Sequence, residues 1–249
     1  MKKTLFAVAV LLVAASTASA QSMITTTPQR SYPSLNDGFR IGPRVSNYAT
    51  DIDFEIFTVD SGRQLSFGLV GDFRSGAFVL DFNYDHDPEN GLQITDFLPI
   101  DFGRYSRDRG EVTIGWAAIP YLDLQGGLRF DNITLGGATF GDDDFFGSED
   151  FEFQGIGGGV KVHTATNRPF GVYGVLRGYT GTVDTGASGF GAQLDATVYR
   201  AEGGFVIPIG ESNWSAVPGL EFETFDTEGN LLTLETNRVF VNIVYQFPR

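Results

Sequence analysis

The chain has no cysteine. Disulfide frameworks, thiolate metal centres and an N-terminal lipoprotein anchor are thereby excluded, and the fold must hold by packing and backbone pairing alone. Histidine is nearly absent, with only His86 and His163. Beyond residue 15 no apolar run approaches the roughly 20 residues that a membrane-spanning helix needs, and the mean hydropathy is -0.05. Positive charge is scarce too: 17 Lys and Arg stand against 31 Asp and Glu, a net charge of -14. Nucleic acid and anionic lipid surfaces would be repelled as electrostatic partners, and cations are the natural ones.

What the chain does have is glycine and aromatics, with 32 Gly, 23 Phe and 9 Tyr. It also has a leader. Met1-Lys2-Lys3, the apolar residues 5–15 and Ala18-Ser19-Ala20 give a basic start, a short apolar run and a small-x-small cleavage site, the pattern of a secretory signal peptide over residues 1–20. A mature chain starting at Gln21 loses Lys2 and Lys3, which takes the net charge to -16. Residues 21–37 are rich in Ser, Thr and Pro, without periodicity, and predict an irregular lead on the periplasmic side.

From residue 38 onward the dominant signal is alternation. In the last stretch Val239, Val241, Ile243, Tyr245 and Phe247 fall on every second position, with Arg238, Asn242 and Gln246 between them, the period of a strand with one apolar and one polar face. Further strands are predicted at 39–48, 63–74, 78–85, 112–118, 122–131, 151–163, 170–179, 190–209 and 214–223. A bend or bulge is expected among Gly155, Gly157, Gly158 and Gly159, and another at Gly203-Gly204, where a change of parity is predicted. Short connections (75–76, 120–121, 165–169, 211–213) alternate with long ones (49–62, 87–110, 136–150, 180–189). Phe73, Phe78, Tyr121, Phe170, Trp214 and Phe247 gather near the short connections, and Tyr84, Phe130, Phe151 and Phe190 near the long ones. A lipid-facing band with aromatic girdles at both interfaces produces this distribution.

On these residues the chain resembles the bacterial outer-membrane β-barrel proteins, of the small-barrel OmpA-transmembrane and OmpW-like kind. The resemblance implies an all-β fold: a single antiparallel up-and-down transmembrane barrel over residues 38–249 with about ten strands, eight or twelve being the alternatives. It implies short periplasmic turns, long extracellular loops, an outer-membrane location, contact with lipid and lipopolysaccharide, and a monomer. Val241, Ile243, Tyr245 and Phe247 then form the signal that the barrel-assembly machinery reads, although Pro248-Arg249 departs from the family pattern, in which the aromatic comes last. No domain is expected after the barrel.

The inward parity collects Arg40, Arg44, Arg74, Arg129, Arg177 and Arg238 with Asp72, Asp81, Asp123, Asp131, Asp195, Glu221 and Glu223. Facing lipid at mid-membrane such charges would cost about 2 to 4 kcal/mol each; facing a narrow lumen they are expected to pair. The expected role is structural or that of a narrow small-solute or ion channel, with surface binding through acidic loops, or less readily hydrolysis, as alternatives. Asp142, Asp143, Asp144, Glu149 and Asp150 offer oxygen ligands for weak Ca²⁺ binding, but their spacing is not that of an EF-hand, and a solvated acidic loop is the simpler expectation. His86, between Asp85 and Asp87, could serve as a base. His163 is expected at the opposite rim, so no shared catalytic site, no enzyme activity and no cofactor are expected.

Overall fold

The computed structural model describes residues 38–54, 57–91, 103–119, 121–136, 139–140, 143–144, 149–164, 170–185, 193–230 and 232–247. The leader, the lead segment, Pro120, Asp142, Phe190 and the turn at 165–169 lie outside them.

The strands in chain order are β1 (Gly38–Phe54), β2 (Phe57–Asp60), β3 (Gln64–Ser75), β4 (Phe78–Gly91), β5 (Arg104–Ile119), β6 (Leu122–Leu135), β7 (Thr139–Phe140), β8 (Asp143–Asp144), β9 (Glu149–His163), β10 (Gly171–Thr185), β11 (Gln193–Pro208), β12 (Trp214–Thr227) and β13 (Leu232–Gln246). Ten of them pair antiparallel with their neighbours in sequence, and β13 pairs with β1, closing the sheet into a barrel. β2 only folds back on the end of β1, and β7 with β8 forms a separate small ribbon.

One end of the barrel carries the tight turns and the start of β1. Between β3 and β4 the chain reverses at Gly76, whose φ of +58° is the left-handed conformation that glycine adopts without a Cβ penalty. Between β11 and β12 the Ser212 hydroxyl donates to the Ile209 carbonyl at 2.6 Å and accepts from the Trp214 N–H at 3.2 Å. The longer connections all lie at the opposite end. These are called the turn end and the loop end below.

Three expectations need correction. Residues 49–54, 87–91, 104–110 and 180–185 are not loop: β4, β5 and β10 extend through the last three, and β1 runs on to Phe54, where Asp51 to Phe54 pair with β2 as well as with β13. Neither glycine group makes a bulge, since β9 keeps one register with β6 and β10, and β11 keeps one with β12 from Ala196 to Pro208. Register shifts occur instead between Asp87 and Asn90 and between Ala117 and Ile119. The glycines of β9 make room: Gly155, Gly157 and Gly159 face inward opposite Arg129, Tyr179 and Arg177, and a Cβ on Gly157 would run into the Gly178 carbonyl and the Tyr179 ring. Phe151, finally, packs against the apolar interior rather than standing in an outer girdle.

The ten strands of the barrel wall are 12 to 17 residues long, whereas a tilted strand crosses a bilayer in about 9 to 11. The surplus extends the barrel at the loop end, and polarity inverts there. Along β13 the outward residues from the turn end are Tyr245, Ile243, Val241 and Val239, followed by Asn237 and Glu235; the inward ones end in Leu234 and Leu232, both buried. β6 repeats this, with Leu124, Leu128 and Phe130 then Asn132 outside, and Arg129 and Asp131 then Ile133 and Leu135 inside. The lower barrel is apolar outside and charged inside, as membrane strands must be. Its upper part has the reverse arrangement of a water-soluble barrel.

Candidate functional site

The charged lumen is the one site-like concentration of chemistry among the described residues. Ten basic side chains line it: Arg40, Arg44, Arg74, Arg107, Arg109, Arg129, Lys161, Arg177, Arg200 and Arg238. Ten acidic ones match them: Asp72, Asp81, Asp85, Asp87, Glu111, Asp123, Asp131, Glu202, Glu221 and Glu223. Each takes part in at least one ion pair, and the lumen is formally neutral.

Glu221 and Glu223, two positions apart on β12, anchor the centre. Glu221 accepts from Arg44 at 2.8 Å, Arg109 at 2.6 Å and Arg200 at 2.8 Å. Glu223 takes a bidentate contact from Arg129 at 2.8 and 2.9 Å, with Arg107 at 2.8 Å and Arg109 at 2.8 Å. Asp131 bridges Arg129 and Arg107, both at 2.6 Å. Around this centre Arg238 binds Asp87 through two nitrogens at 3.0 and 2.9 Å, and Arg109 also reaches Asp85. Nearer the turn end Arg177 joins Glu111 and Asp81, Lys161 joins Asp81, Arg200 joins Glu202 and Arg40 joins Asp72.

Burying such charges costs several kcal/mol per ion, which attraction offsets only when geometry is good and the remaining donors are satisfied. The bidentate and shared contacts supply the geometry, and arginine suits them because its planar fork presents several donors at once, although Arg107 Nη1 and the Nε atoms of Arg44, Arg109 and Arg238 are buried without a hydrogen-bond partner among the described residues. Cation–π contacts extend the network to its apolar neighbours: the Arg44 guanidinium lies 3.9 Å from the Phe240 ring centre, and that of Arg238 lies 5.0 Å from Tyr48.

Above this layer, toward the loop end, the interior is filled by a buried apolar cluster that includes Tyr48, Ile52, Tyr105, Ile133, Phe153, Tyr179, Val183, Val198, Phe225 and Leu234. Phe153 and Phe225 meet edge to face at 5.4 Å. Below it, a smaller apolar group of Tyr173, Val175, Val206, Val217, Phe240 and Val244 covers one side of the turn-end mouth.

Of the thirteen charges expected in the lumen, twelve are in the network. Asp195 is not: on β11 the inward positions are Ala196, Val198 and Arg200, so Asp195 faces out and is exposed. Eight members escaped the sequence reading. Asp87, Arg107 and Arg109 lie in the stretch 87–110 predicted as loop, and Arg200 with Glu202 in the strand whose parity is predicted to change. Their signal was present, since Arg107, Arg109, Glu111 and Thr113 continue one alternation. Asp85 and Lys161 lie within predicted strands without an expected place in the lumen, and Glu111 lies just before the strand predicted from residue 112.

His86 faces outward, away from its neighbours Asp85 and Asp87, because successive strand residues take opposite faces. Its Nδ1 lies 2.9 Å from Asp108, which also accepts from the Tyr84 hydroxyl at 2.6 Å. His163 is buried at the turn end beside Arg74 and Asp123, so the two histidines lie far apart. Of the acidic loop, the side chains of Asp142, Asp143 and Asp144 are outside the described residues; Asp150 is exposed and accepts from the Thr134 hydroxyl at 2.8 Å, while Glu149 is half-buried. At the turn end Phe39, Phe247, Tyr245 and Trp214 form a run of ring contacts around the β1–β13 seam.

A closed antiparallel barrel with an apolar belt and a charged interior is the architecture of bacterial outer-membrane β-barrel proteins, and this chain has that fold. The same fold is seen in the translocator domain of the autotransporter NalP from Neisseria meningitidis, 12% identical with a TM-score of 0.50, covering 93% of this chain and 92% of that one. It is seen also in the outer membrane protease OmpT from Escherichia coli, 9% identical with a TM-score of 0.50, covering 91% and 99%. At such identities the likeness concerns the fold alone. No protein-family model and no curated protein matches the sequence.

Proposed function

We propose that this chain is a structural outer-membrane barrel whose lumen is closed to solutes. The observation that carries this reading is the double filling of the interior: a neutral layer of interlocked charges within the membrane and a packed apolar layer above it. Ions crossing the first would have to displace salt bridges, and crossing the second would have to shed their water. In planar bilayers the purified barrel is expected to give no steady conductance. Unitary steps that scale with salt concentration would replace this reading with that of a narrow channel.

In this reading the leader is cleaved after Ala20, the assembly machinery inserts the barrel as a monomer, and the turn end faces the periplasm. The barrel contacts lipid and lipopolysaccharide, performs no catalysis and needs no cofactor. A second reading, surface binding, is favoured by the wall above the membrane: among the described residues Arg63 and Arg104 are the only exposed Lys or Arg, against exposed acids such as Asp53, Glu89, Glu152, Asp184 and Asp195. With the acidic 141–150 loop, that wall would take a cationic partner or weakly held Ca²⁺. Whole cells expressing the protein would then bind a cationic probe peptide in a salt-sensitive way, and cells lacking it would bind equally if the reading is wrong.

A further inference from the structure

We infer that the turn-end mouth of the lumen is a binding site for short aliphatic carboxylates. A cavity of about 110 Å³ lies there, below the charge network. Its walls differ in kind. One side is the buried apolar surface of Val175, Val206, Val217 and Val244, contributed by β10 to β13. Charged side chains make up much of the remaining lining, and among them basic groups outnumber acidic ones by five to three.

The charge pattern explains why an anion suits this wall. The Lys161 ammonium reaches the two Asp81 oxygens at 3.0 and 3.1 Å, and the Arg177 guanidinium reaches the same carboxylate at 3.0 Å. One carboxylate therefore serves two cations. Deeper in the lumen the alternation continues through Arg177, Glu111 and Arg200, and toward the turn end Asp123, opposite Lys161 across β6 and β9, gives its carboxylate to Arg74 and His163. An ammonium has three donors, and two contacts to Asp81 leave one for a ligand. A carboxylate there would place its tail toward the valines. Because an apolar cavity of about 150 Å³ accommodates benzene, one of about 110 Å³ suits chains from acetate to butyrate. A cationic head would be repelled and a neutral alcohol would gain only the tail contact.

Lys161 is the only lysine after Lys3, which makes the test direct. Selective ¹³C labelling of lysine gives a single side-chain signal from the folded mature barrel in detergent micelles. Acetate, propionate and butyrate are expected to shift it saturably, with Kd falling about fourfold per methylene. Inorganic phosphate should bind no better than acetate, and n-butylammonium should not saturate. Val217→Phe, which fills the cavity, should abolish the saturable shift while the protein still migrates as a heat-modifiable barrel. If that variant does not fold, Val206→Ser serves in its place and should weaken butyrate several-fold while leaving acetate unchanged. Shifts that never saturate, that are equal for phosphate and butyrate, or that persist in Val217→Phe or respond alike to both acids in Val206→Ser, overturn the proposal. The site lies below the closed layers and does not rest on closure: a conducting barrel that binds butyrate would refute the structural role and leave the site standing.

Discussion

The ring of Phe247 stacks on that of Phe39, with centroids 5.5 Å apart, and the Phe247 backbone N–H donates to the Phe39 carbonyl at 3.0 Å. The end of the last strand is thereby fastened to the beginning of the first. Phe247→Asp removes both the ring contact and the aromatic that the family resemblance assigns to assembly, although a charge near the interface itself costs only about 0 to 1 kcal/mol. Gln246→Glu, one position away on the inward parity beside Arg40, should assemble normally. Heat-modifiable protein in the outer-membrane fraction distinguishes the two: Phe247→Asp should be depleted there, and equal yields would remove Phe247 from the assembly signal.

Arg129 and Arg104 are both ion-paired but differ in burial, at 0% and 73% side-chain exposure. Arg129→Ala leaves Glu223 and Asp131 short of a buried partner and should lower stability by about 3 to 5 kcal/mol. Arg104→Ala loses a solvent-screened contact and should cost about 0 to 1 kcal/mol. Urea unfolding in lipid vesicles reads both, and similar midpoints would mean that the lumen is well hydrated.

Phe153→Ala removes one half of the edge-to-face pair in the upper cluster and should cost about 3 to 5 kcal/mol. If that cluster seals the lumen, Phe153→Ala combined with Phe225→Ala should also give transient conductance where the parent gives none. A destabilised double variant that remains silent would place the seal in the charged layer alone.

Gly157→Ala puts a methyl group against the Gly178 carbonyl and should prevent barrel formation. Gly126→Ala, on the lipid face of the neighbouring strand, meets nothing nearer than 3.7 Å and should fold like the parent. Comparing their heat-modifiable fractions tests whether the glycines of β9 serve the filling of the lumen.

An epitope inserted within residues 140–149 should be reached by antibody on intact cells, while one at residue 167 should require a permeabilised outer membrane. The opposite pattern would invert the proposed orientation.

The sequence by itself determined the barrel, because alternation is local: a residue's parity fixes its face, and every second position from Val239 to Phe247 announces a lipid side without any tertiary information. Close turns such as that at Gly76 are equally local. What parity does not carry is height along the barrel axis. Arg44 and Glu221 lie 177 positions apart in the chain and share a level only because strand stagger brings β1 and β12 to the same depth. For the same reason β5 could not be followed past Gly110, where its outer face turns polar and its inner face goes on to Arg109, Arg107 and Tyr105. Asp195 obeys the alternation of its own strand, but the expected change of parity within β11 set it on the wrong face. The inversion of polarity at the loop end was decided by tertiary structure alone, since strands longer than the bilayer is thick must bury apolar side chains inside once water replaces lipid outside.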